Sequence, residues 1–151
     1  MSAAAIEVER LVKRFGDLVA VDGIDLRVPT GTCLGLLGPN GAGKTTTVEI
    51  LEGLQPATSG SVQVLGRTWE KDPEGIRNRI GVTLQETRFH EKLTVEETLV
   101  LFRSFYPHGQ AVESALAQVD LVDKRAARVG TLSGGQKQRL ALAVGLVGDP
   151  E

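Results

Sequence analysis

The sequence predicts an α/β fold in which helices pack on a parallel sheet. Three features point there: apolar–polar alternation near the N-terminus, two short apolar runs at residues 33–37 and 80–84, and helical stripes that follow each run. A glycine-rich segment joins the first run to its helix.

Taken in order, Ile6 and Val8 flank charged residues, and Ile24, Leu26 and Val28 alternate with Asp25 and Arg27, which reads as two half-buried strands. Phe15, Gly16 and Asp17 form a turn between them. The run at 33–37 is apolar enough for a strand buried on both faces. Val48, Leu51 and Leu54 then share one side of a helix. Val62 and Val64 alternate between Gly60 and Gly66 as a short strand. Residues 73–79 fit a short helix with Pro73 in its first turn. The run at 80–84 reads as a second buried strand, ending at Gln85.

Helix dominates after Gln85. Thr94 and Glu97 fit a capping box ahead of an apolar stripe of Val95, Leu99, Phe102 and Tyr106. Pro107 and Gly109 end that helix, and Ala111, Val112, Ala115, Leu116 and Val119 build the next. Ser133 and Gln136 fit a second capping box at the start of the last helix. No low-complexity linker or repeat divides the chain.

Its 151 residues, 41% hydrophobic and 24% charged, suit one globular core. A net charge of −2 gives no reason to expect nucleic acid or an anionic membrane surface as partner. The single cysteine, Cys33, excludes an internal disulfide and fits a reducing cytosol. No window approaches the roughly 20 apolar residues that span a bilayer. Glu7 and Glu9 stand where a secretory signal would be apolar, so none is expected. If the protein serves transport, the pore belongs to another chain. No cluster of inorganic metal ligands is visible.

GPNGAGKT at residues 38–45 satisfies the pattern of a phosphate-binding loop, with a buried strand expected before it and a helix after it. Gly38, Gly41 and Gly43 let the backbone curl so that several N–H groups converge on phosphate oxygens. The following helix start adds the positive end of its dipole. Lys44 supplies a mobile charge for the β- and γ-phosphates, and the short Thr45 hydroxyl suits Mg²⁺. A glycine-rich turn before a helix is the plainer reading. The loop alone does not separate transport ATPases from GTPases, kinases or helicases.

LSGGQKQR at 132–139 narrows the choice. Ser133, Gly134 and Gly135 offer a hydroxyl and unobstructed N–H groups at a helix start, a second anion site. One ATP needs one cradle. A head-to-tail dimer, in which each chain's residues 133–136 close over the ATP on the other chain's loop, uses both. An ordinary capping box with glycines is the alternative.

Together these residues resemble the ABC (ATP-binding cassette) ATPase family over nearly the whole chain, from about Ile6 onward. The resemblance implies a P-loop NTPase with an N-terminal antiparallel β subdomain, a parallel-sheet core and a helical subdomain. It divides one partial ATP-binding domain, residues 1–151, into about 1–85 (β subdomain and loop core), 86–132 (helical subdomain) and 133–151 (signature helix returning to the core). It further implies ATP and Mg²⁺ as ligands, held by Gly38, Asn40, Gly41, Gly43, Lys44, Thr45 and Thr46. Gln85 corresponds to the Q-loop glutamine that senses Mg²⁺ and the attacking water. Ser133, Gly134, Gly135 and Gln136 correspond to the signature presented across the dimer. Phe15 falls where the family more often places a tyrosine that stacks on adenine; its π-face serves equally, and a core phenylalanine at a strand end is the alternative.

The stretch from Phe89 to Leu99 matches the surface that grips a membrane partner's coupling helix. The wording of residues 20–46 and 51–66 is most similar to ATP-binding subunits of ABC-2-type exporters, including daunorubicin-resistance-like ones. The implied partners are a second ABC ATPase domain and a transmembrane permease, with no nucleic acid. The implied location is cytoplasmic, on the inner face of the plasma membrane.

In the family the Walker B aspartate and glutamate and a later histidine follow the segment matched by residues 148–151. The expectation is therefore a core incomplete at the C-terminus, with hydrolysis slowed by the order of 10²–10⁴ without the base. The helix of Leu140, Val144 and Val147 is expected to lose its packing floor. Asp149 and Glu151 match the polar turn ahead of Walker B, and His90 and His108 read as surface or turn residues. Besides an energy-coupling subunit, a nucleotide-binding fragment without turnover and a soluble non-transport ABC ATPase remain open.

Overall fold

The computed structural model describes residues 4–84 and 87–151. They divide into two compact units, Met1–Ile76 and Arg77–Glu151.

The first unit is built on a three-stranded antiparallel sheet in the order β2-β1-β3, from β1 (Ala4–Phe15), β2 (Leu18–Pro29) and β3 (Ser59–Val64). Helix α1 (Lys44–Leu51) packs on it, and Val8, Leu11, Val21 and Ile50 form the core. The alternation of β1 changes phase once. Arg10 takes a left-handed conformation (φ 45°), and the register slips between Val8 and Leu11. This bulge turns Leu11 and then Lys13 to the buried side already occupied by Val8. Asp25 Oδ1 accepts from the Arg10 N–H at 2.8 Å, so the bulged amide keeps a partner.

The loop that follows β3 closes the far end of α1. Trp69 Nε1 donates to the Leu51 carbonyl at 3.1 Å, satisfying one of the acceptors a helix leaves open at its C-terminus. Helix α2 (Pro73–Arg77) begins at Pro73 as expected and buries Ile76.

Four sequence expectations need correction here. The run at 33–37 is not a buried strand: it joins no ladder among the described residues, and Leu37 is 91% exposed. The run at 80–84 likewise joins no ladder, and Leu84 is exposed. The sheet formed by the described residues is antiparallel, without the parallel pairing expected of those two runs. An apolar run records a preference for burial but does not supply the neighbouring strand that would meet its N–H and C=O groups. In α1 Thr47 and Ile50 are buried and Leu51 packs against the same core, whereas Val48 is exposed and Leu54, also exposed, lies beyond the helix end.

The second unit is helical. Helices α3 (Val95–Arg103), α4 (Val112–Gln118) and α5 (Gly134–Leu146) surround a core of Val95, Leu99, Leu116, Val119, Leu121, Val129, Leu132, Leu140 and Ala143. Helix α5 is not left without packing: Leu140 and Val147 are fully buried, and Val144 packs against the same core. Its apolar side finds the helices that precede it. His90 and His108 are exposed.

Both capping boxes form. Thr94 accepts from the Glu97 N–H while the Glu97 carboxylate accepts from the Thr94 N–H. Within the same turn Arg125 pairs with Glu96, and that hydrogen bond holds the Glu96 carboxyl below its ordinary value. We expect Thr94→Ala to lower stability by about 1 kcal/mol, read from chemical denaturation of the chain. A shift much smaller than that means that the backbone bonds from Val95 and Glu96 to Ala127 and Arg125 secure this helix start alone.

Candidate functional site

The three principal helix starts are not equivalent. At α3 the first N–H groups are taken by the capping box and by the carbonyls of residues 125 and 127. At α5 the Ser133 hydroxyl accepts from the Gln136 N–H, and the Gln136 side chain accepts from the Ser133 N–H at 2.9 Å. Helix α1 has neither device. Its N-cap is Gly43, no side chain among the described residues caps it, and its first turn carries no acidic residue. A helix start with open N–H groups and an uncompensated dipole is suited to an outside anion.

The chain before α1 is shaped for that role. Gly38, Gly41 and Gly43 all have positive φ, which a side chain rarely adopts. Lys44 folds back over the loop, and its Nζ donates to the carbonyls of Gly38 and Pro39 at 2.8 and 2.7 Å. Those bonds hold the curl closed and keep the ammonium at the loop. The three consecutive threonines divide. Thr47 is buried and spends its hydroxyl on the Gly43 carbonyl at 2.9 Å, whereas Thr45 and Thr46 border open space.

That space is a cavity of about 320 Å³ within the first unit. Asn40, Gly41, Gly43, Lys44, Thr45 and Thr46 line one part of it. Phe15, at the end of β1, lines another, so the hairpin brings together residues far apart in the chain. The ring is 46% exposed, which sets aside the alternative of a core phenylalanine. Leu18, Val19 and Ala20 complete the wall and were missed in the sequence. Their signal was their position, directly after the turn at Gly16 and Asp17. The cavity's wall is apolar near Phe15 and donor-rich near Lys44, which suits a ligand with a flat apolar part and an anionic part.

Ser133, Gly134, Gly135 and Gln136 belong to the second unit. Both glycines are exposed, and a Cβ on either would meet nothing within 4 Å. The capping box and an open backbone therefore coexist there: the Gln136 N–H is committed, while Gly134 and Gly135 leave room for close approach. Gln85 lies outside the described residues. Glu151 is held by Arg79 through paired side-chain hydrogen bonds, and its N–H donates to the Arg79 carbonyl at 3.0 Å. Among the described residues no carboxylate borders the cavity.

The fold is of the α/β P-loop class. The profile of the ABC transporter family matches residues 21–151, and the chain belongs to that family. It is 40% identical over 158 residues to the Nod factor export ATP-binding protein I of Burkholderia orbicola (strain AU 1054), covering 100% of this chain and 51% of that protein. It is 38% identical over 156 residues to the daunorubicin resistance ATP-binding protein DrrA3 of Streptomyces coeruleorubidus, covering 100% and 49%. The chain thus spans about half the length of the curated relatives it matches. A solved ATP-binding subunit of an ABC transporter shares the fold with a TM-score of 0.84 at 24% identity, over 97% of this chain and 63% of that one.

Proposed function

We propose that this chain is the nucleotide-binding part of an ATPase subunit that energises an ABC exporter. The observation that carries the reading is the uncapped start of α1, with Lys44, Thr45 and Thr46 facing a cavity whose other wall is Phe15. In this reading the triphosphate lies on the loop at 38–45 and the adenine stacks on Phe15. Relatives named for Nod factor export and daunorubicin resistance support the exporter class.

Mg²⁺ fits as a companion of the triphosphate. Thr45 is a hydroxyl donor at the cavity, and the phosphates and water supply the remaining oxygens that Mg²⁺ prefers. When bound, the ion neutralises charge on the β- and γ-phosphates; Lys44 and the α1 N–H groups orient the same oxygens. Gln85 takes the Q-loop role. Ser133, Gly134, Gly135 and Gln136 close over the nucleotide of a second ABC domain in a head-to-tail pair. A separate permease carries the substrate, and the subunit rests against it on the inner face of the plasma membrane. No helix among the described residues is long and apolar enough to cross a membrane itself.

We assign nucleotide binding to these residues and turnover to the head-to-tail pair. Titrating Mg-ATP into the 151-residue chain while following phosphate release tests both assignments. Saturable binding with release near the uncatalysed level is expected. Absence of binding overturns the reading of the cavity, and turnover at the few per second or more typical of enzymes overturns the second assignment.

A further inference from the structure

We infer that Lys13 is a positioning residue that holds the Phe15 ring for stacking on a nucleotide base. The inference rests on the proposed nucleotide site and adds to it a residue to which the sequence motifs give no role.

Lys13 is 9% exposed, an unusual place for a lysine in a small sheet. The register shifts of β1 between Val8 and Val12, with the bulge at Arg10 among them, put it there. Its Nζ donates to the Pro56 carbonyl at 2.8 Å and lies 4.8 Å from the centroid of the Phe15 ring. The neighbouring backbone is tied down as well: the Arg14 N–H donates to the Thr58 hydroxyl at 3.0 Å, and the Thr58 N–H to the Val12 carbonyl at 2.9 Å. The ammonium is thus anchored, largely shielded from water, and within cation–π range of a ring that borders the cavity.

This arrangement does two things to the ring. It fixes the position of an exposed side chain that otherwise has two free torsions. It also places a positive charge against one face, so that the other face is the one left for a base. A ring polarised in this way attracts the electron-rich π-surface of a purine more strongly. Lys13 touches no phosphate in this scheme; it acts through Phe15.

The test compares ATP with inorganic tripolyphosphate, each with Mg²⁺, on the full 151-residue chain. Lys13→Met is expected to weaken ATP binding by about three- to tenfold and to leave tripolyphosphate binding unchanged. Lys13→Arg, which keeps a cation, is expected to retain ATP affinity. Phe15→Leu is expected to lower ATP affinity alone, and Lys13→Met added to it to cause no further loss. Equal losses for ATP and tripolyphosphate in Lys13→Met overturn the inference, because the lysine then acts through the fold as a whole. If Phe15→Leu costs ATP affinity and Lys13→Met does not, the lysine's role fails while the site stands. If Phe15→Leu also leaves ATP affinity unchanged, the base-stacking reading itself fails.

Discussion

Gly43→Ala is expected to destabilise the first unit by about 2–4 kcal/mol and to displace the phosphate loop from the sheet. Gly43 is the N-cap of α1 with φ 81°, and a Cβ there would stand 2.3 Å from the Ala20 carbonyl oxygen and 3.2 Å from Val21 Cγ2. Both neighbours belong to β2, and Val21 is part of the core, so neither yields easily. Gly41 is the internal control. Its φ is 83°, but a Cβ would meet nothing within 4 Å, so Gly41→Ala carries only the backbone cost of about 1–2 kcal/mol. Denaturant unfolding of the two variants separates these terms. Equal losses would show that contact with β2 does not hold the loop in place. Because Ala20 also lines the cavity, Gly43→Ala is further expected to weaken ATP binding more than Gly41→Ala does.

Lys44→Ala is expected to lower ATP affinity by on the order of ten- to a hundredfold, the range for losing a charge-assisted hydrogen bond. The side chain already lies at the loop, bonded to the carbonyls of Gly38 and Pro39. Binding of a triphosphate exchanges those neutral acceptors for charged ones, which attract an ammonium more strongly. Both bonds are exposed, so the variant should retain nearly the full unfolding free energy of the parent. Isothermal titration together with a melting curve reads both quantities. An unchanged ATP affinity removes the loop from the site. A large loss of stability would mean that the lysine serves the fold instead.

How far the sequence could be read depended on the range of the interaction. Both capping boxes were legible because donor and acceptor are three residues apart. Pro73 at the start of α2 and the turn after Phe15 were legible for the same reason. The apolar stripe of α3 was partly so: Val95 and Leu99 are fully buried, while Tyr106 lies beyond the helix end. Hydropathy marks 33–37 and 80–84 for burial but carries no sign of whether a neighbouring strand supplies a ladder. The inward face of α1 was misread because Thr47 hides its hydroxyl against its own backbone, a cost that composition does not show.

By itself the sequence determined the α/β class, the glycine pattern of the loop, the helix starts and, through its motifs, membership of the ABC family. These are local properties, or strings of residues long enough to name a family. Tertiary structure alone decided that Leu18, Val19 and Ala20 complete the wall of the cavity shared by Phe15 and the loop at 38–45, and that Lys13 is turned inward beneath the ring. The physical reason is register. Register shifts along β1 reset which side chains face the core, and hairpin pairing brings the end of β1 to the start of α1, neither of which a period-two pattern can specify.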